Sequence, residues 1–363
     1  MADKNRQRYN NPVSATLSGI ADLFKKQVPA GELKPADRLD GKIVLIDGAS
    51  SGLGFAVAVD AACRGARVIM ACRSGIPEKG EEVKKLSGNP DVQMVSVDFS
   101  DIASIQNLVL QIKELLGEAR IDIFICNSAV VPRKSRKTPQ GLEEMFMVNY
   151  FSKFLFINLL LEKDCFWKSA VGSWQLAVRN QQSRIQYPVS SFQFPGPGIG
   201  YRLPRIIFIS SESHRNPTAF DWASFGIYKD YSIGKSIELY GYYKLLLTTF
   251  AAELSRRLNQ DGSQVSVFAL CPGPINSNIG REAPKIFTPL LKLVFSLFFR
   301  SPAKAAIPVI YLAASQDQEG KQFDYLFLMC RKEVDEKASD AANGERLWQM
   351  SEQLAGKLFD NKF

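Results

Sequence analysis

Residues 42–66, KIVLIDGASSGLGFAVAVDAACRGA, decide the fold. KIVLID (42–47) is a short apolar run ending in glycines, and FAVAVDAACRGA (55–66) has helical character. Between them, Gly48, Gly52 and Gly54 permit a tight turn and a close approach of backbone to a pyrophosphate. They also leave amide hydrogens at a helix N-terminus facing anionic oxygens. The spacing is Gly-x-x-x-Gly-x-Gly rather than Gly-x-Gly-x-x-Gly. Ser50, Ser51 and Leu53 complete this loop and are assigned with the glycines to cofactor binding. Glycines also serve plain turns; their place at the end of the first strand of an alternating series favours the cofactor.

That series runs outward from the loop. RVIMAC (67–72), VQMVSVD (92–98), IDIFICN (121–127), RIIFISS (205–211) and QVSVFAL (264–270) read as strands. Helical patterns separate them at 78–86, 102–117, 142–161 and 240–258. Apolar strands alternating with helices predict an α/β fold, a Rossmann-type doubly wound parallel sheet covered on both faces. Residues 1–40 read as an N-terminal extension, in which Leu17, Ile20, Ala21, Phe24 and Val28 share a helical face. That face suits docking on the protein's own core or on a membrane surface. Residues 41–330 form the main domain, with an insertion at 162–204 before the fifth strand, and 331–363 form a tail with a helix at 343–358.

The second strand ends in Ala71-Cys72-Arg73. An acidic residue near this point accepts hydrogen bonds from a ribose 2′-hydroxyl, whereas the forked cation of Arg73 suits a 2′-phosphate, so NADP(H) is favoured over NAD. Six scattered cysteines and a single histidine argue against a disulfide framework or a metal site, and fit a reducing, cytoplasmic setting. A net charge of +8 suits a phosphorylated cofactor, an acidic membrane surface or plain solvation, with no pattern for nucleic acid. The apolar run IFTPLLKLVFSLFF (286–299) is too short for a membrane span and carries Lys292. The basic loop PRKSRK (132–137) leaves peripheral membrane contact open.

These residues, in this order, resemble the short-chain dehydrogenase/reductase family over roughly 42–330. Gly48, Gly52 and Gly54 fit its phosphate loop. Asp98, followed by Phe99, fits the residue that holds the adenine. Asn127, Ser128 and Ala129 stand where the family has the end of Asn-Asn-Ala-Gly, and Pro272-Gly273, with Ile275 beyond, follows the sixth strand. The sequence is most similar to the retinol dehydrogenase-like branch, through ACR (71–73), RIIFISSESH (205–214), AELSRRL (252–258) and ERLWQMSEQL (345–354). CNSAV (126–130) and residues 338–356 also look like protochlorophyllide oxidoreductase, a light-driven ring reductase of the same family. Asp47 stands in place of the usual threonine, Cys126 of asparagine and Ser152 of a common glycine.

Tyr-x-x-x-Lys occurs twice, at Tyr231 with Lys235 and at Tyr240 with Lys244. In the resembled branch the lysine opens a helix reaching a Glu-Leu pair, and Lys244 reaches Glu253-Leu254 at that distance, so Tyr240 and Lys244 are the expected pair. The resemblance implies that Asn149, Ser211, Tyr240 and Lys244 are catalytic and that Tyr240 and Lys244 also touch the cofactor. A free phenol has a pKa of about 10, and Lys244 with the oxidised nicotinamide ring is expected to lower it. Tyr240 then exchanges a proton with a carbonyl or alcohol oxygen held by Ser211, and Asn149 supports a water-mediated proton path. His214 is expected in a hydrogen-bonding loop role and Cys271 as a small buried residue. The apolar segment PKIFTPLLKLVFSLFFR (284–300) suits a cover for a lipophilic substrate, or packing on the core or on a second subunit, which leaves a homo-oligomer open. The expectation is an NADP-dependent alcohol dehydrogenase/carbonyl reductase. The alternatives are a ring double-bond reductase and a non-catalytic cofactor-binding regulator.

Overall fold

Strand β1 (Ile43–Asp47) is buried along its whole length, and its side chains part by the two-residue period of a strand. Ile43 and Leu45 join one hydrophobic core; Val44 and Ile46 join the core on the opposite face. The computed structural model describes residues 29–166, 203–260, 265–275 and 300–360. The proposed helical face at 17–28, most of the 162–204 insertion and the apolar segment 284–299 lie outside the described residues.

In chain order the main elements are β1, α1 (Gly52–Cys63), β2 (Arg67–Cys72), α2 (Glu78–Ser87), β3 (Val92–Ser96), α3 (Ile102–Leu116) and β4 (Ile123–Cys126). Then follow α4 (Glu144–Glu162), β5 (Arg205–Ile209), α5 (Ile233–Asn259), β6 (Ser266–Cys271), α6 (Pro302–Ala314), β7 (Phe323–Phe327), β8 (Cys330–Arg331) and α7 (Ala341–Asp360). The sheet has the order β3-β2-β1-β4-β5-β6-β7-β8. All its pairs are parallel except the last. Helices α3, α4, α5 and α7 contribute to the core on one face, and α1, α2 and α6 to the core on the other. This is the doubly wound α/β sheet expected from the strand and helix rhythm.

The structure moves one boundary and adds three elements. Helix α5 starts at Ile233, ahead of Tyr240, so both Tyr-x-x-x-Lys lysines lie on one helix. Its first two turns carry Gly234 and the polar Lys235, Ser236 and Glu238, which weakened the apolar pattern there. Helix α6 was not anticipated, because Pro308 sits in its interior and reads as a breaker. Tertiary packing overrides that signal: Ala305, Ala306 and Val309 meet the small side chains Ala58, Ala61 and Ala62 of α1 in one core. Strands β7 and β8 were also missed; β7 begins with two half-buried residues, one of them Asp324, so its apolar run is short.

Helix α4 is mostly apolar, and a turn in its first half, Met147–Phe151, is a π-helix. It is long and apolar enough to cross a membrane, yet 94% of its apolar window is buried inside the protein, which makes it a core helix. The tail completes the same core. Trp348 of α7 packs its ring 5.2 Å from that of Phe154 and 5.8 Å from that of Phe250, with the Arg257 guanidinium 4.3 Å above it. The Tyr150 hydroxyl and Ser351 Oγ are hydrogen-bonded at 2.6 Å, tying α7 to α4. At the other end, the Tyr311 hydroxyl donates to the Ala30 carbonyl at 2.9 Å, so the last residues of the extension dock beside α6.

Because Trp348 is buried between α4 and α5, Trp348→Ala should cost about 3–5 kcal/mol in urea unfolding, and Trp348→Phe distinctly less. A loss below about 1 kcal/mol for the alanine variant would mean that the tail helix does not anchor the core.

Candidate active site

The strand order reverses between β1 and β4, and the loops after these two strands meet at that point. Gly48 has φ +64°, and a Cβ there would lie 2.8 Å from Cβ of Ser128. A Cβ on Gly54 would lie 2.5 Å from Nδ2 of Asn127. Asn127 donates from Nδ2 to the carbonyls of Asp47 and Gly48, both at 3.0 Å. Only glycine fits this contact. Gly52, with φ +59°, opens α1, whose N-cap residue Ser51 makes no side-chain capping bond. A helix start without a side-chain cap, behind a loop stripped of Cβ atoms, suits an anionic phosphate. These residues fit the dinucleotide that the loop implies.

The substitution at Asp47 has its own solution. The side chain is fully buried, and Oδ1 accepts the amides of Asn127, at 2.5 Å, and of Ser128. The Lys153 ammonium lies 2.9 Å from Oδ2, an electrostatic contact rather than an aligned hydrogen bond. Lys153 also donates to Ser128 Oγ and sits 4.3 Å over the ring of Phe99. Sequence reasoning missed Lys153. The available signal was a lone cation inside the nearly all-apolar helix 142–161, opposite an acid at the end of the first strand.

Asn149 lies in the π-helical turn of α4, buried, and its amide is spent on the backbone of one residue, Val130. Oδ1 accepts from the Val130 amide at 2.8 Å and Nδ2 donates to the Val130 carbonyl at 2.9 Å. It thereby holds the segment carrying Asn127, Ser128 and Ala129. Lys244 is buried on α5 and donates to the Ile209 carbonyl at the end of β5, at 2.6 Å. Burial, followed by the nearby Lys153 charge, lowers its pKa to about 8, while Asp47, Cys271 and Cys126 pull the other way.

Tyr240 stands one turn before Lys244, whose ammonium is 5.6 Å from the centre of its ring. The ring keeps part of its surface open, yet its surroundings are dry enough that burial raises the phenol's pKa well above the ordinary value. Cys271 adds to the rise and a hydrogen bond with Ser211 opposes it. The expected lowering belongs to Lys244 together with the oxidised nicotinamide ring; in the protein alone, burial raises the phenol. Ser211 Oγ accepts from the Ser213 amide at 3.2 Å and from Ser213 Oγ at 2.9 Å. Its neighbour Ser210 turns the other way, to Thr248 Oγ1 at 2.6 Å.

The alternative pair is occupied elsewhere. The Tyr231 hydroxyl donates to Glu143 Oε1 at 2.8 Å, in a buried contact, and Lys235 is exposed. Of the remaining expected cofactor residues, Arg73 is exposed at the end of β2 and makes no ion pair or hydrogen bond among the described residues. Asp98 uses Oδ1 to accept from the amide, at 2.8 Å, and the hydroxyl, at 2.7 Å, of Ser100, and Phe99 is buried beneath Lys153. Pro272 follows β6. Gly273 has φ +78°, where a Cβ would meet Leu328 at 2.6 Å. Ile275 forms a parallel bridge to Arg300. In the basic loop, Arg136 pairs with Glu144 and Lys137 lies 4.6 Å over the Tyr228 ring.

Residues 42–173 match the sequence profile of the family described as short chain dehydrogenase. Mouse (Mus musculus) Retinol dehydrogenase 14 is 33% identical over 333 residues, 88% of this chain and 87% of that protein. Retinol dehydrogenase 13 of Homo sapiens is 32% identical over 363 residues, 96% of each. Among solved structures, an uncharacterized protein from Mycobacterium Paratuberculosis aligns with a TM-score of 0.60 at 24% identity, over 92% of this chain and 98% of that one. The RhlG/NADP active-site complex of Pseudomonas aeruginosa aligns with a TM-score of 0.55 at 20% identity, over 82% and 98%. Both likenesses bear on the fold.

His214 underpins Ser211. It is fully buried, with Nδ1 2.7 Å from the Ser211 carbonyl, and its Nε2 accepts from the Asp335 amide at 3.4 Å. This pattern places the proton on Nδ1. Burial, then the Arg215 charge, lowers the pKa from 6.5 to about 4, so the ring is neutral at pH 7. Between these values the unfolded chain binds the extra proton and the folded one does not. Stability should therefore fall as pH drops from about 6.5 toward 4, by up to about 3 kcal/mol from this group. Urea unfolding of the parent and His214→Gln across this range checks it: the variant should lose that part of the acid sensitivity, and parallel curves would refute the assignment.

Proposed function

The chain belongs to the short-chain dehydrogenase/reductase family, in its retinol dehydrogenase-like branch, and from that premise we propose that it interconverts an alcohol and a carbonyl on a lipophilic substrate with NADP(H). The observation that carries this reading is the meeting of Tyr240, Ser211 and Lys244 at the C-terminal ends of the central strands. A bound dinucleotide supplies the hydride chemistry; the protein supplies placement and proton transfer. The glycine loop and the start of α1 hold the pyrophosphate, Asp98 the adenine end, and Pro272, Gly273 and Ile275 the nicotinamide side. Arg73 pairs with the 2′-phosphate; its exposure and lack of an ion pair among the described residues support that role. Residues 41–330 act as the NADP-binding domain, flanked by the extension and the tail.

In this mechanism Ser211 holds the substrate oxygen by hydrogen bond while Tyr240, protonated at neutral pH, donates its proton to it. Burial keeps this phenol protonated at neutral pH but makes it a weaker acid, so its proton is given up only where a nearby cation stabilises the phenolate. Lys244, below a pKa of about 8, carries the charge that stabilises the phenolate left behind. Asn149 keeps the segment after β4 in place and supports the proton path. The apolar residues of 284–300 favour a retinoid-, sterol- or aliphatic-like substrate. Exposed Arg133 and Lys134 support peripheral contact of a cytoplasmic protein with an acidic membrane face.

Tyr240→Phe should reduce turnover of a lipophilic aldehyde by about 10²–10⁴-fold while leaving NADPH binding, followed by fluorescence, within a few-fold of the parent. Turnover near the parent level would remove Tyr240 from the mechanism. Arg73→Asp should weaken NADPH more than NADH in the same binding assay; a parent protein that turns over only with NADH would sink the assignment of Arg73.

A further inference from the structure

We infer that Lys153, through its buried ion pair with Asp47, is a positioning residue of this site, locking the segment after β4 onto the phosphate loop and balancing the charge beneath Lys244. This inference rests on the reductase reading above, and it adds two residues which that reading does not use.

The argument begins with desolvation. Both side chains are essentially removed from water, at 1% and 0% exposure. Burying two charges is costly unless each is paired and its remaining hydrogen-bonding capacity is met. Here the pairing is dense. Asp47 Oδ1 takes two backbone amides, while the Lys153 ammonium, 2.9 Å from Oδ2 but without an aligned hydrogen bond to it, donates to Ser128 Oγ and covers the face of Phe99. The contacts join the end of β1, Phe99 beyond β3, the segment after β4, and α4. Ser128 is also the side chain against which Gly48 is packed without room for a Cβ. The pair thus sets the spacing between the two loops that line the dinucleotide crevice.

The second part is electrostatic. The groups facing Lys244 are Lys153, Asp47, and the Cys126 and Cys271 thiols, with the Tyr240 ring above and the Ile209 carbonyl at its ammonium. Lys153 disfavours the Lys244 ammonium and Asp47 favours it. Cys126 feels the same three charges, Asp47, Lys153 and Lys244, which gather around one buried point. Removing one member of the pair therefore leaves the other unopposed beside Lys244, and the two removals act in opposite directions.

Lys153→Met and Asp47→Asn test this. Nuclear magnetic resonance of labelled lysine in the cofactor-free protein reads the Lys244 titration without turnover. Its midpoint should rise in Lys153→Met and fall in Asp47→Asn, and the high-pH limb of carbonyl reduction should move the same way. NADPH affinity should drop about tenfold in each, while Lys153→Arg, which keeps the cation, should recover most of it. Should Lys153→Met fail to fold, Lys153→Gln, neutral but still able to donate to Ser128, carries the same comparison. Shifts of the same sign in both variants, or unmoved titration with parent-like NADPH affinity, would reduce the pair to an ordinary core contact. A parent that binds NADPH but reduces no carbonyl compound overturns the reductase reading instead, and the titration still decides the role of the pair.

Discussion

Asp47 is buried at the end of the central strand, and its carboxylate draws two other parts of the chain to itself. It takes the amides of Asn127 and Ser128 from beyond β4 and pairs with Lys153 from α4. Lys153 in turn covers Phe99 from beyond β3. A buried acid without these donors would be too costly to keep. The position of the loop after β4, and with it the contact between Asn127 and the glycine loop, follows from this requirement. Asn149 reinforces the same segment from the π-helical turn of α4, where the widened turn brings its amide to the Val130 backbone. Departures from regular helix of this kind often occur at functional sites.

Dryness governs the ionisation of Tyr240 and Lys244. Burial raises the Tyr240 phenol and lowers the Lys244 ammonium, and each shift disfavours the charged form of its group. The two groups remain poised because each charge has a neighbour prepared to receive it. Ser211 stands beside the phenol, and the Ile209 carbonyl and the Asp47 carboxylate stand on the side of the lysine. His214, neutral and buried, fixes the turn that carries Ser211 to the segment at Asp335, linking the site to the chain that leads into α7. Helix α7 is thereby part of the frame that supports the site: Trp348 fills the space between α4, which carries Asn149 and Lys153, and α5, which carries Tyr240 and Lys244.

The sequence alone determined the doubly wound sheet, because buried parallel strands must be continuous apolar runs and the helices between them must show their own period. It also determined the glycine loop, since only residues without a Cβ survive the contact with Asn127 and Ser128. It selected Tyr240 with Lys244 over Tyr231 with Lys235, a choice consistent with the commitment of Tyr231 to Glu143. Tertiary structure alone decided the rest. Helix α6 forms despite Pro308 because small residues of α1 allow close packing, which no local propensity records. Asp47 and Lys153 lie far apart in the chain and belong to different elements, so each reads as an oddity in its own segment. The direction of the Tyr240 shift was likewise hidden, because spacing along a helix reports which charge is near but not how much water has been removed. Pairing across the sheet and desolvation are properties of three-dimensional surroundings, and they set the electrostatics of this site.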